Sequence, residues 1–99
     1  MIVVRDIFQL KFGKAREAKE LWKEGIAKMK NNGFVPDRLL SDVTGPYYTV
    51  VMESTFDSLA DFEKSAHEAM SDEWRNWYQK FVPIVDSGRR EIFTVEHSK

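Results

Sequence analysis

Twice along this chain the apolar residues switch from every second position to every third or fourth and back, and the two cycles meet at a short connection, Thr44-Gly45-Pro46. Each spacing dictates a backbone, because alternation loads one face of a strand while the longer period loads one stripe of a helix. Residues 2–11, IVVRDIFQLK, are rich in branched and aromatic side chains and stop at Gly13, which predicts a first strand. From Lys14 onward Ala18, Leu21, Trp22, Gly25, Ile26 and Met29 fall on one helix face, with Arg16, Lys19, Glu20, Lys23 and Glu24 opposite. Asn31, Asn32 and Gly33 supply the stop signal. A weaker strand follows Pro36, and it is expected at a sheet edge because proline offers no ladder donor. The third strand is YYTVVMESTF, residues 47–56.

Ser58, with Asp61 three residues on, predicts the cap of a second helix whose buried stripe is Leu59, Phe62, Ala66 and Met70. Ser71 starts a further helical segment that sets Trp74, Trp77, Tyr78 and Phe81 on one face. Pro83 and Gly88 close this region, and residues 89–97, RREIFTVEH, form a last strand. The order is strand, helix, strand, strand, helix, strand. That is the ferredoxin-like βαββαβ plan, an α+β fold with a four-stranded antiparallel sheet and helices on one face. Right-handed crossovers place the first and third strands in the centre. With 99 residues there is material for one core, so residues 1–99 are expected to form a single domain.

In the third strand Tyr48, Val50, Met52, Ser54 and Phe56 make a helix-facing set, which leaves Tyr47, Thr49, Val51, Glu53 and Thr55 on the other face. In the first strand the corresponding outer set is Val3, Arg5, Ile7, Gln9 and Lys11. Full overlap of the two central strands brings Arg5 opposite Glu53, whereas the alternative register would set Asp6 beside Glu53 and repel it. The cost of the favoured register is Asp6 on the helix side among Val4 and Phe8, to be answered by a bulge or by a partner from a helix. Helices on one side only leave Val3, Ile7, Tyr47 and Val51 bare on the other, a patch that a second copy packed sheet to sheet would cover.

Composition narrows the function classes. A net charge of -1 argues against a nucleic-acid partner. The third strand also lacks the basic-Gly-aromatic run of RNA-binding modules with this strand order. There is no cysteine, and the chain offers too few convergent His, Asp or Glu for a metal site. The apolar start, broken at Arg5 and Asp6, is too short for a signal peptide or a membrane span, so a cytoplasmic protein without a membrane partner is expected.

The strand order, the junction LKFGKAREA (Leu10 to Ala18) and the closing run WYQKFVPIVDSGRREIF (Trp77 to Phe93) together resemble the dimeric α/β-barrel superfamily. The likeness is nearest to the NIPSNAP-type proteins and more distant to the antibiotic-biosynthesis monooxygenases. It implies a homodimer with a ligand cavity inside the barrel or between sheet and helices, and no single chemistry. The haem-degrading branch uses an Asn on the first strand, a Trp and a helix-borne His. Here His67 lies on the second helix and Trp74 and Trp77 follow, but the first strand carries no Asn, a departure that speaks against haem chemistry. No cofactor is expected.

The candidate catalytic groups are therefore Arg5, Glu53 and His67, and the candidate ligand-binding residues are Tyr47, Val51, Trp74 and Trp77. Arg5 would orient an anionic or carbonyl oxygen while Glu53 moves a proton, with Glu91 or Arg90 of the last strand joining them. The plainer role for this pair is an ion pair that fixes register or assembly. His67, at the edge of its helix stripe, is a general acid or base or else a boundary residue with one hydrogen bond. The aromatic set is core, pocket wall or both. The expected function is binding of a compact, partly apolar organic molecule with cofactor-free chemistry. The alternative is a structural or interaction protein whose inner polar residues specify the dimer.

Overall fold

A computed structural model describes residues 1–29 and 36–99, so the predicted helix stop at Asn31, Asn32 and Gly33 lies outside the described residues. The elements run β1 (Ile2–Leu10), α1 (Ala15–Met29), β2 (Arg38–Ser41), β3 (Thr49–Phe56), α2 (Leu59–Glu68), α3 (Asp72–Phe81) and β4 (Val85–Thr94), with a 3₁₀ turn at Val82–Ile84 before β4. The strands form one antiparallel sheet in the order β2-β3-β1-β4, which is the ferredoxin-like arrangement. β2 lies on an edge, as its flanking proline predicts.

Both predicted caps form. The Ser58 hydroxyl accepts from the Asp61 amide at 3.2 Å, and the Ser71 hydroxyl accepts from the Trp74 amide at 3.1 Å. Between sheet and helices the largest fully buried side chains are Trp22, Phe81 and Leu10. Phe81 meets Phe8 edge-on at 5.0 Å and lies stacked on Trp77 at 5.3 Å, so α3 is held to β1 through rings. α1 and α3 touch at Gly25. A Cβ built there would sit 2.5 Å from Trp77 Nε1. The absent side chain lets the Trp77 indole donate to the Leu21 carbonyl at 2.6 Å.

Three expectations are corrected. The third strand begins at Thr49 rather than Tyr47, because Tyr47 and Tyr48 adopt φ of 44° and 56° in the connection. That left-handed conformation is costly for a tyrosine, and the Gln9 side-chain amide spans it by donating to the Pro46, Tyr47 and Tyr48 carbonyls. The last strand begins at Val85, so Gly88 lies within it instead of ending a helix. Gly88 stands opposite Phe8, and a Cβ on it would come within 3.1 Å of that ring. The glycine marks a close approach, not a stop. Finally, no residue of α2 is buried: Phe62 packs on Phe56 at 5.4 Å, but Leu59 is 56 % exposed, as is Met70 just beyond the helix. This helix rests on the sheet through its middle only.

Candidate functional site

Sequence register delivers two charged clusters, one on each face of the sheet. On the face without helices, Arg38 of β2, Glu53 of β3, Arg5 of β1 and Glu91 of β4 stand in one row across all four strands. Arg5 is opposite Glu53, as expected. Its Nε donates to Glu53 Oε2 at 2.9 Å, while Arg38 donates to Oε1 through Nε at 3.0 Å and also through Nη2. Glu53 is 6 % exposed although both arginines reach solvent. Hydrogen bonding from Arg38 holds its carboxyl below the usual glutamate range, against the opposing effect of burial, and Arg5 adds to the lowering. A carboxylate with both oxygens occupied by guanidinium groups is a poor base. The row is chemically closed.

The helix-facing cluster is of another kind. Asp6 and Arg90 pair across β1 and β4, with Arg90 Nε donating to Asp6 Oδ1 at 2.6 Å. The Arg90 guanidinium also lies over the Phe62 ring of α2, 5.1 Å from its centroid. Asp6 therefore has its partner, from the neighbouring strand rather than from a bulge or a helix. Arg90 in turn sits on the face opposite Glu53 and does not join it.

Beside this pair opens a cavity of about 470 Å³ between the sheet and α3. Its walls include Phe8, Trp74, Trp77, Tyr78 and Phe81, with Asp6 and Arg90 among the few polar groups. Trp74 and Tyr78 stack at 4.7 Å with nearly parallel planes, one turn apart on α3. Trp22 completes the wall, and its buried indole N–H has no hydrogen-bond partner among the described residues. Gly88 also lines the cavity, where the missing side chain leaves room beside Phe8.

The sequence-predicted site residues are thus divided. Trp74 and Trp77 line the cavity. Arg5, Glu53 and Val51 belong to the opposite face of the sheet, in the charged row and the row next to it. Tyr47 is 75 % exposed and borders a smaller hollow of about 230 Å³ under the connection before β3. His67 is exposed on α2 and lines none of the described cavities. Sequence reading missed Arg38 and the pairing of Asp6 with Arg90. The second was available in the antiparallel match of VVRDI against RREIF, which sets Arg5 against Glu91 and Asp6 against Arg90 together.

Among the described residues no group of three or more His, Asp or Glu could hold a metal ion, and no helix is long and apolar enough to cross a membrane. No protein-family model matches the chain, and no curated protein does. Solved structures do. A NIPSNAP family protein from Agrobacterium tumefaciens superposes with a TM-score of 0.86 at 22% identity, covering 98% of this chain and 88% of that one. An uncharacterised NIPSNAP domain protein from Burkholderia xenovorans gives 0.86 at 13% identity, with 100% of each chain covered. SnoaB, a cofactor-independent oxygenase from Streptomyces nogalater, gives 0.70 at 13% identity, covering 98% of this chain and 94% of that one. The chain therefore has the ferredoxin-like fold of NIPSNAP family proteins, a fold it shares more distantly with antibiotic-biosynthesis monooxygenases.

Proposed function

We propose that this protein binds a compact, partly apolar organic molecule in the cavity between the sheet and α3. The observation that carries the reading is the gathering of all three tryptophans of the chain around one space of about 470 Å³ that also holds an acid–guanidinium pair. Small-molecule sites have this make-up: mostly apolar walls, a volume of several hundred cubic ångströms, and few but well-placed polar groups. Any chemistry there would be cofactor-free, a reading supported by the fold it shares with a cofactor-independent oxygenase. A homodimer belongs to the same proposal, with protomers meeting through the helix-free face, where the partly exposed Val3 and Val51 and the half-exposed Phe93 surround the charged row. Ile7, expected to be bare there, is already buried within the protomer.

A second reading, a structural or interaction protein, is favoured by Glu53 alone. Its saturation by Arg5 and Arg38 suits a group that fixes register and assembly better than one that moves protons. Native mass spectrometry of the purified protein separates the two. A copurifying small molecule, lost in Trp74→Ala but kept in Glu53→Gln, supports the cavity reading. A dimer that carries no ligand and falls apart in Glu53→Gln and Arg5→Met supports the structural one.

A further inference from the structure

The Asp6–Arg90 pair is held by a single hydrogen bond, from Nε to Oδ1. Asp6 Oδ2 and the two Arg90 Nη groups make no other hydrogen bond among the described residues. Both side chains line the cavity, and Arg90 is fixed in place by Asp6 on one side and by the Phe62 ring on the other. The pair thus leaves an unused acceptor oxygen and unused guanidinium donors on two side chains that both line the cavity. The contrast with Glu53, whose two oxygens are both taken, is complete.

Charge at this edge of the cavity cancels, because Asp6 is matched by Arg90. The neighbouring Arg89 pairs with Glu91 at 3.3 Å on the helix-free face and adds no side-chain charge here. An anionic ligand would gain Arg90 but face Asp6, and a cation would meet the reverse. A neutral group with its own adjacent donor and acceptor satisfies both. The aromatic walls add a requirement for a flat ring, and the volume admits a two-ring system.

A phenol offers donor and acceptor on one atom and cannot span the edge. A carboxylic acid has lost its donor at neutral pH. A cyclic amide keeps both, fixed in one plane and uncharged. We propose that the cavity selects a flat, neutral heteroaromatic lactam, its N–H donating to Asp6 Oδ2 and its carbonyl accepting from Arg90 Nη. This rests on the cavity reading above and adds the chemical class of the ligand.

Isothermal titration calorimetry with three probes built on one bicyclic ring system tests it: carbostyril, a lactam; quinoline, with an acceptor only; and quinaldate, an anion. Carbostyril is expected to bind about tenfold more tightly than either of the others, the worth of two correctly met hydrogen bonds. Asp6→Asn removes the charge that repels anions, so quinaldate should then overtake carbostyril, a reversal that mere loss of stability would not produce. Arg90→Gln should erase the lactam preference without favouring quinaldate, and it serves as the check if Asp6→Asn fails to fold by circular dichroism. Equal or tighter binding of quinaldate to the unmodified protein, or an unchanged order in a folded variant, overturns the lactam assignment and leaves the cavity reading standing. If none of the three binds, the lactam assignment falls as well, while the cavity reading is decided by the copurification test above.

Discussion

Arg5 and Asp6 are consecutive in β1, yet they serve opposite faces of the sheet and end in opposite circumstances. Arg5 joins a row in which Glu53 accepts from guanidinium groups on both oxygens and is sealed from solvent. Asp6 joins Arg90 by one bond beside an aromatic cavity and keeps an oxygen in reserve. The residue types are the same on the two faces, an acid with arginine. What differs is saturation. A carboxylate with both oxygens bonded and covered stabilises register, whereas one with an unbonded oxygen next to an open volume is available to something else.

The largest effect should come from closing the helix side more tightly than it allows. Gly25→Ala sets a methyl 2.5 Å from the Trp77 indole nitrogen, so α1 must move off α3. We expect a loss of about 3 kcal/mol in urea denaturation, despite the better helix propensity of alanine. A loss below about 1 kcal/mol would mean that the helix side is loosely packed and that its cavity is not a defined volume.

Next comes Glu53→Gln, which leaves two arginines facing one another across a neutral amide. A cost of about 2 kcal/mol is expected by the same measurement, charge-assisted hydrogen bonds being lost from a covered acceptor while the exposed arginines moderate the penalty.

The same residue has a pH signature. Its carboxyl is depressed in the folded state, chiefly by Arg38, so it stabilises the fold above the pKa of the unfolded chain. That contribution is lost as pH falls through the carboxylate range. The gap in Tm between the parent protein and Glu53→Gln should therefore be wide at neutral pH and narrow at about pH 3. A gap that widens on acidification would show that Glu53 is not the clamped group described here.

Smallest of all is Asp6→Asn, expected to cost less than about 1 kcal/mol because Arg90 stays half in solvent and the pair is single-bonded. Should it cost as much as Glu53→Gln, the distinction between the two faces collapses.

The parts of this arrangement legible in the sequence were those fixed by alternation alone. Strand parity put Arg5 and Glu53 on one face, and like-charge repulsion chose between the two registers, so that pairing was predictable. Arg38 was not, because β2 is short and its register depends on the connection through Gly45 and Tyr48, whose geometry no spacing rule supplies. Tyr47 and Tyr48 misled for the same reason: residues with high strand propensity occupy a left-handed bend held by a distant glutamine. Gly88 was read as an end signal, when it marks the close passage of Phe8. The helix stripe of α2 looked buried by period, but period reports which side faces inward and not how much of it the sheet can cover. The cavity itself was invisible. Aromatic spacing gave Trp74, Trp77 and Phe81 one face, and only the fold could leave space beside it.

Every indole in this protein borders that space, since Trp22, Trp74 and Trp77 are the whole complement. Tryptophan emission, excited selectively over the tyrosines, consequently has no background from remote sites. An occupant would shift or quench nearly the entire signal, which makes the unlabelled molecule its own optical gauge of occupancy.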